Sequence, residues 1–192
     1  MSHVTIIGTG NMGPAIAAIA SRGGNTVELL NTSDAEKPVT GDIVVLAVPY
    51  PAVADVIAER GESFAGKVIV DITNPLNFET FDSLVVPADG SAADQIAAVL
   101  PDSKVLKAFN TNFAGTLASG TVGGSVPTTV LIAGDDADAK ALLSGIITAG
   151  GLKAIDAGSL SRARELEALG FLQLTLAAGE KISWTGGFAG VA

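Results

Sequence analysis

The chain has 192 residues, of which 48% are hydrophobic and 16% charged, so it can bury a sizeable core and is not a disordered chain. Its 20 acidic and 11 basic residues give a net charge of −9, and no Lys/Arg cluster offers a face for nucleic acid. Cysteine is absent and His3 is the single histidine, so no thiolate nucleophile and no metal site are expected. No apolar run reaches the ~18 residues of a membrane span and no signal peptide is evident, so we expect a cytoplasmic protein without a membrane partner.

Strand-like and helix-like segments alternate along the chain. In order they are strand His3–Ile7, helix Pro14–Ser21, strands Thr26–Leu30 and Ile43–Val48, helix Pro51–Glu59, strand Lys67–Ile72, helix Ser91–Leu100, strands Lys104–Phe109 and Thr128–Ala133, helix Asp136–Ala149, strand Leu152–Asp156 and helix Leu160–Lys181. This alternation predicts an α/β fold: a Rossmann-type, doubly wound, mainly parallel sheet of six to eight strands, with helices on both faces and a long C-terminal helix. No repeat or linker divides it, so residues 1–192 are expected to form one NAD(P)-binding domain.

Two connections between these elements are unusual. The segment NTSDAEKPVTGD between the second and third strands is too short and too broken by Pro38 and Gly41 for a full crossover helix. The stretch Thr73–Gly90 is long and irregular, and loops of that length in compact domains tend to be functional.

The stretch IIGTGNMG (residues 6–13) places glycines at positions 8, 10 and 13, directly after a strand and at the start of a helix. That is the context of the dinucleotide fingerprint, in which Gly8 permits the tight turn, Gly10 admits a pyrophosphate and Gly13 lets the helix pack on the strand. The phosphates are expected at the helix N-terminus, where main-chain amides and the helix dipole favour an anion.

The end of the second strand bears on the choice of coenzyme. It runs into Asn31, Thr32 and Ser33, three neutral hydrogen-bonding residues that suit a 2′-phosphate, where an NAD site usually offers a carboxylate. These residues favour NADP(H). NAD(H) remains the alternative, because this segment contains no arginine that would bind the phosphate.

The carboxyl ends of three later strands supply further candidates, because the binding crevice of such a sheet lies at that edge. Ordinary turn chemistry is the alternative for each of them. Lys107, inside a strand, is interpreted as a structural ion pair, with contact to a ligand phosphate or proton transfer as the alternatives. The candidates are Val48, Pro49, Tyr50, Asn74, Pro75, Asn110 and Thr111.

Four motifs in one order, GTGNMG, LAVPY, DITNPLN and KAFNT, resemble the NADP oxidoreductases that reduce the deazaflavin coenzyme F420, and their bacterial dinucleotide-binding relatives. They also resemble the reductase domain of the membrane metalloreductases. The stretches IDAGSLSRARELE and ISWTGGF continue this resemblance. The resemblance extends over nearly the whole chain and implies an NADP(H)-binding Rossmann domain with a second redox ring stacked over the nicotinamide. By position it implies three groups of contacts: Gly8, Thr9, Gly10, Asn11, Met12 and Gly13 at the pyrophosphate; Asn31, Thr32 and Ser33 at the 2′-phosphate; and Val48, Pro49, Tyr50, Asn74 and Pro75 at the nicotinamide, with Asn110 and Thr111 bordering the acceptor.

The leading hypothesis is an NADPH-dependent oxidoreductase that passes hydride to a small flat acceptor of flavin, deazaflavin or quinone type. Such a transfer needs stacked rings and little acid/base machinery, and no catalytic residue is identified. The alternatives are an NADP(H) sensor without turnover, and a carbonyl or imine reductase with Tyr50 as proton donor. Residues about 160–192 are expected to complete the acceptor site, with Trp184 and Phe188 as a wall or as plain packing, or to form a homodimer interface through the apolar C-terminal helix.

Overall fold

The computed structural model describes residues 1–34 and 36–190, with the backbone alone of Thr32. The strands are β1 (His3–Ile7), β2 (Thr26–Leu30), β3 (Ile43–Leu46), β4 (Val68–Asp71), β5 (Lys104–Ala108), β6 (Thr121–Val122), β7 (Val126–Pro127), β8 (Thr129–Gly134) and β9 (Lys153–Gly158). The helices are α1 (Met12–Arg22), α2 (Val53–Arg60), α3 (Ala92–Val99), α4 (Ala114–Ser119), α5 (Ala137–Ala149) and α6 (Ala163–Ala178).

Seven strands form one sheet in the order β2-β1-β3-β4-β5-β8-β9. The first five run parallel, β8 pairs antiparallel with β5, and β9 runs parallel to β8. The carboxyl ends of β1 to β5 therefore meet at one edge of the sheet, and those of β8 and β9 lie at the other. The expected Rossmann-type, mainly parallel sheet is confirmed. The short β6–β7 hairpin and helix α4 were not predicted from the sequence.

Helices cover both faces because successive strand residues point to opposite sides. On β3, Ile43 and Val45 pack into the core layer beneath α1 and α5, whereas Val44 and Leu46 pack into the layer beneath α2 and α3. All four side chains are at most 1% exposed, as expected for a central parallel strand.

Two connections and the last helix shape the carboxyl edge. Between β2 and β3 the described chain forms one 3-10 turn at Thr32–Asp34, in place of a crossover helix. The loop after β4 contains a single bridge, between Leu76 and Leu84. Helix α6 buries Leu166 together with small and polar residues, while Leu172 is 48% exposed. Among the described residues, no helix is both long and apolar enough to cross a bilayer.

Candidate functional site

The glycine-rich turn between β1 and α1 has the backbone shape that its sequence predicts. Gly8 adopts a φ of +121°, and a side chain there would collide with the Ala47 carbonyl. A side chain at Gly13 would collide with the Gly8 carbonyl, so α1 packs on the turn through bare backbone. Gly10 is exposed, and a Cβ there would meet no atom within 4 Å. The fold requires glycine at 8 and 13, whereas Gly10 leaves space for a ligand.

Helix α1 begins at this turn with an uncapped N-terminus. Asn11 occupies the N-cap position without a side-chain hydrogen bond to the helix, and the first turn holds no acidic residue. In the described part of the chain, the main-chain amides of residues 9–12 donate to no other backbone group outside regular secondary structure. Pro14 has no amide hydrogen to satisfy. The positive end of α1 is therefore available to an anion.

Two cavities flank the turn. The larger cavity has a volume of about 740 Å³ and is lined by Asn11 and Met12 together with residues that follow β4 and β5 and with the C-terminal tail. The smaller cavity, of about 290 Å³, is lined by Gly8 and Thr9 together with Asn31 after β2, Val48 after β3 and one face of α2. An extended ligand bound along this turn would therefore have one end in the larger cavity and the other end in the smaller cavity.

Two carboxamides from neighbouring strand ends form one wall of the larger cavity. Asn74 Nδ2 donates to the Asn110 carbonyl at 2.8 Å, and Asn110 Nδ2 donates to Asn74 Oδ1 at 2.9 Å and to the Leu166 carbonyl at 2.8 Å. A side chain at Gly170 of α6 would collide with Asn74 Oδ1. The helix can approach this pair only through a glycine.

Two buried oxygens on this cavity lack partners within the described residues. Asn110 Oδ1 and Asn112 Oδ1 accept no hydrogen bond, although both side chains line the larger cavity. Asn112 Nδ2 donates to the Thr129 carbonyl at 3.0 Å, which fixes the orientation of that amide. A buried acceptor without a donor costs roughly 1–3 kcal/mol. Both oxygens are closed to solvent, so this wall would have to shift before a ligand donor could reach them.

Aromatic side chains complete the larger cavity. Phe109 follows β5 with a φ of +62°, an uncommon conformation for a bulky residue that often marks functional sites. Phe113 and Trp184 pack with ring centroids 4.9 Å apart and planes tilted by 60°. Trp184 lines the cavity although it is 54% exposed, whereas Phe188 is not among the lining residues. The larger cavity thus offers flat apolar surfaces beside neutral amides.

The C-terminal tail is held over α4 and α6 by main-chain contacts. Gly123 N donates to the Thr185 carbonyl at 2.8 Å, and Phe188 N donates to Gln173 Oε1 at 2.8 Å. Gly115 of α4 lies so close to the tail that a Cβ there would be 3.0 Å from the Trp184 carbonyl oxygen. The tail therefore closes one side of the larger cavity.

Behind the Asn74–Asn110 wall lies a buried cluster of charges. Lys107 Nζ is 2.8 Å from Asp71 Oδ2 and 2.8 Å from Glu167 Oε1, and it also donates to the Thr73 carbonyl. All three charged residues are fully buried. Glu167 also accepts from Ala92 N at the start of α3. Burial raises the pKa of Glu167, and the neighbouring Lys107 opposes that rise. The prediction that Lys107 forms a structural ion pair is supported by this geometry.

The segment after β2 is ordered by its own polar groups. Asn31 Oδ1 accepts from Ser33 N at 2.7 Å and from Ser33 Oγ at 2.6 Å, and Asn31 N donates to Asp34 Oδ2 at 3.0 Å. Asp34 pairs with Lys37 at 2.8 Å, which lowers the pKa of the carboxyl. The Thr32 side chain, a predicted contact, lies outside the described part of the chain.

The structure does not bring every predicted residue to these two cavities. Pro49 is exposed, while Pro75 and Thr111 are buried outside the cavity walls. Tyr50 lines a third cavity of about 440 Å³, between α2 and α3, where its hydroxyl donates to Gln95 Oε1 at 2.6 Å. Burial, followed by the nearby Glu167 charge, raises the pKa of Tyr50.

Sequence reasoning missed Phe113 on the larger cavity and Arg60 on the smaller one. Phe113 directly follows the strand end Phe109–Asn112, so extending that stretch by one residue would have found it. No sequence signal marks Arg60, because α2 brings it to the segment after β2 from more than 20 residues away. No group of three or more potential metal ligands occurs within residues 1–34 and 36–190.

Comparison with known proteins identifies relatives of this chain. Residues 25–75 match the family model described as NADP oxidoreductase, coenzyme F420-dependent. The F420-dependent NADP reductase of Methanothermobacter marburgensis is 32% identical over 183 residues, covering 89% of this chain and 80% of that protein. The corresponding reductase of Methanocaldococcus jannaschii is 33% identical over 144 residues, covering 73% of this chain.

Some relatives are longer than this chain. The match covers 63% of the Methanocaldococcus jannaschii protein, and it covers 26% of the rat metalloreductase STEAP3, which is 32% identical over 134 residues and 70% of this chain. A crystal structure from Arthrobacter sp. FB24 superposes over 100% of both chains with a TM-score of 0.85 at 24% identity, which supports the fold.

Proposed function

This chain belongs to the coenzyme F420-dependent NADP oxidoreductase family, and from that premise we propose that it is an NADP(H)-dependent oxidoreductase that transfers hydride between the nicotinamide and a flat redox acceptor. One observation carries the proposal. The uncapped N-terminus of α1 lies between two cavities at the carboxyl edge of a parallel sheet, which is where dinucleotides bind in such folds.

In this proposal the turn from Gly8 to Gly13 holds the pyrophosphate, the smaller cavity takes the adenosine half, and the larger cavity takes the nicotinamide and the acceptor. The volume of about 740 Å³ is within the usual range of small-molecule sites. Asn74, Asn110 and Asn112 support this assignment, because they line the cavity and place a few neutral polar groups beside its apolar walls.

When bound, the nicotinamide supplies the hydride chemistry, and the protein supplies orientation and exclusion of water. The interlocked amides of Asn74 and Asn110 form a rigid wall, and the Phe113–Trp184 pair offers a surface for a flat ring. The residues that line the larger cavity are apolar, aromatic, glycine or neutral polar. Such a wall suits direct transfer between two rings and provides no acid or base for a carbonyl substrate.

The proposal extends to domain organisation and assembly. Residues 1–192 would form one domain in which α6 and the tail complete the acceptor cavity. A homodimer contact through α6 would cover the apolar side chains that it exposes wholly or in part, which are Phe171, Leu172 and Leu176.

The experiment is to mix the protein with NADPH and, in turn, a flavin, a 5-deazaflavin and a quinone, and to follow the loss of NADPH absorbance. We expect acceptor-dependent oxidation with at least one ring. Binding of NADPH without oxidation by any of the three would contradict an enzyme and favour a sensor. A thermal-shift titration should show a larger rise in melting temperature with NADP than with NAD at equal concentration.

The Tyr50→Phe variant separates ring-to-ring transfer from reduction of a carbonyl or imine. We expect NADPH oxidation within about twofold of wild type, because the Tyr50 hydroxyl is bonded to Gln95 on the third cavity and a proton donor would contribute about a hundredfold or more. Steady-state rates of both proteins with the same acceptor provide the measurement. A loss of that larger size would make Tyr50 the proton donor and overturn the acceptor assignment.

A further inference from the structure

Arg60 is a buried cation on the wall of the smaller cavity. It ends α2, is 7% exposed and lines the cavity together with Gly8, Thr9 and Asn31. Arg60 Nη1 donates to the Lys37 carbonyl at 2.8 Å, and Nη2 donates to the Asp34 carbonyl. The guanidinium therefore braces the segment that follows β2 against α2.

The positive charge of Arg60 is not neutralised by contact with an anion. Among the described residues no carboxylate oxygen lies within 4 Å of the guanidinium. Asp34 pairs with Lys37 instead, although the Arg60 charge also helps to lower the pKa of Asp34. Asp55 and Glu59 also line the cavity, but both are exposed and their charges are screened by water and salt. A buried cation without a counter-ion is costly unless an anion joins it.

We infer that Arg60 selects the phosphorylated coenzyme, by pairing with the 2′-phosphate of NADP(H) at the smaller cavity. This inference rests on the proposed function, which places the adenosine ribose beside Asn31. A guanidinium carries five N–H donors, and two carbonyl contacts leave donors for a phosphate. Arg60 would thereby supply the positive charge for the 2′-phosphate, because no arginine directly follows β2 in the sequence.

The test uses binding alone, with adenosine 2′,5′-bisphosphate and adenosine 5′-monophosphate as probes that differ by the 2′-phosphate. In wild type we expect the bisphosphate to bind more tightly, and Arg60→Met to reduce the ratio of the two dissociation constants by about tenfold or more, the size of one charge-assisted hydrogen bond. Lys153→Met is the control for net charge, because Lys153 is an exposed cation on β9 that forms no ion pair within the described residues and does not line the smaller cavity. It should change the ratio by less than about twofold.

Arg60→Lys distinguishes the charge of Arg60 from its structural role. Lysine keeps the positive charge but cannot reproduce the contacts of the guanidinium with the two carbonyl groups. We expect Arg60→Lys to retain part of the preference for the bisphosphate, whereas a purely structural role predicts the same loss in both Arg60 variants.

If Arg60→Met does not fold, NMR of the wild-type protein provides the test. The Arg60 Nε–H signal should shift when the bisphosphate is added and should not shift with the monophosphate. An unchanged ratio in Arg60→Met, an equal loss in Lys153→Met, or an Arg60 signal that does not shift with the bisphosphate would each overturn the inference. If the protein oxidises NADPH with none of the acceptors but still binds the bisphosphate more tightly than the monophosphate, the proposed function is contradicted and this inference is not.

Discussion

Replacing Gly10 by valine is expected to weaken NADPH binding by about a hundredfold or more while leaving the melting temperature nearly unchanged. A Cβ at this position meets no protein atom within 4 Å, so the folded chain accommodates it. The same space is where a pyrophosphate would approach the N-terminus of α1, and a branched side chain would fill it. Isothermal titration with NADPH and a thermal melt of the same sample measure the two quantities.

Two other glycine substitutions serve as controls. Gly145→Ala, in α5, also meets nothing within 4 Å, lies away from the cavities and should leave NADPH binding unchanged. Gly13→Ala collides with the Gly8 carbonyl and should lower the melting temperature itself. Wild-type affinity in a folded Gly10→Val protein would mean that the coenzyme binds elsewhere.

Replacing Lys107 by methionine is expected to destabilise the fold by about 3–5 kcal/mol, since it leaves buried carboxylates without their cation. Lys107 is fully buried and contacts both Asp71 and Glu167 at 2.8 Å. The matched control is Lys104→Met on the same strand. Its ion pair with Asp136 is partly exposed, at 46% and 33% of the two side chains, and should contribute less than about 1 kcal/mol. Urea denaturation of the three proteins gives the free energies of unfolding.

The loss of stability in Lys107→Met should depend on pH in a defined direction. Burial already raises the pKa of Glu167, and Lys107 opposes that rise, so the variant should raise this pKa further. A carboxyl group whose pKa is raised by folding contributes stability below its unfolded pKa, and that contribution is lost as pH rises through the folded pKa. The deficit of Lys107→Met relative to wild type should therefore be larger at pH 8 than at pH 5. Equal deficits at both values, or a deficit no larger than that of Lys104→Met, would contradict the role assigned to the cluster.

The sequence alone determined the class of fold and the position of the glycine-rich turn, because both depend on local patterns. Alternating apolar strands and helices require layered packing, and the glycines at 8 and 13 stand where a side chain would strike backbone. The resemblance of the ordered motifs to the F420-dependent oxidoreductases also required no coordinates, since it depends on their sequence and their order along the chain.

The tertiary structure decided which side chains surround the two cavities. Tyr50 lies two residues beyond Val48, yet one faces the cavity between α2 and α3 and the other faces the smaller cavity. Lys107 found carboxylate partners on β4 and α6, and Arg60 reached the segment after β2 from the far end of α2. These contacts join residues far apart in the chain, and they depend on the order of strands and the packing of helices, which local propensity and spacing do not encode.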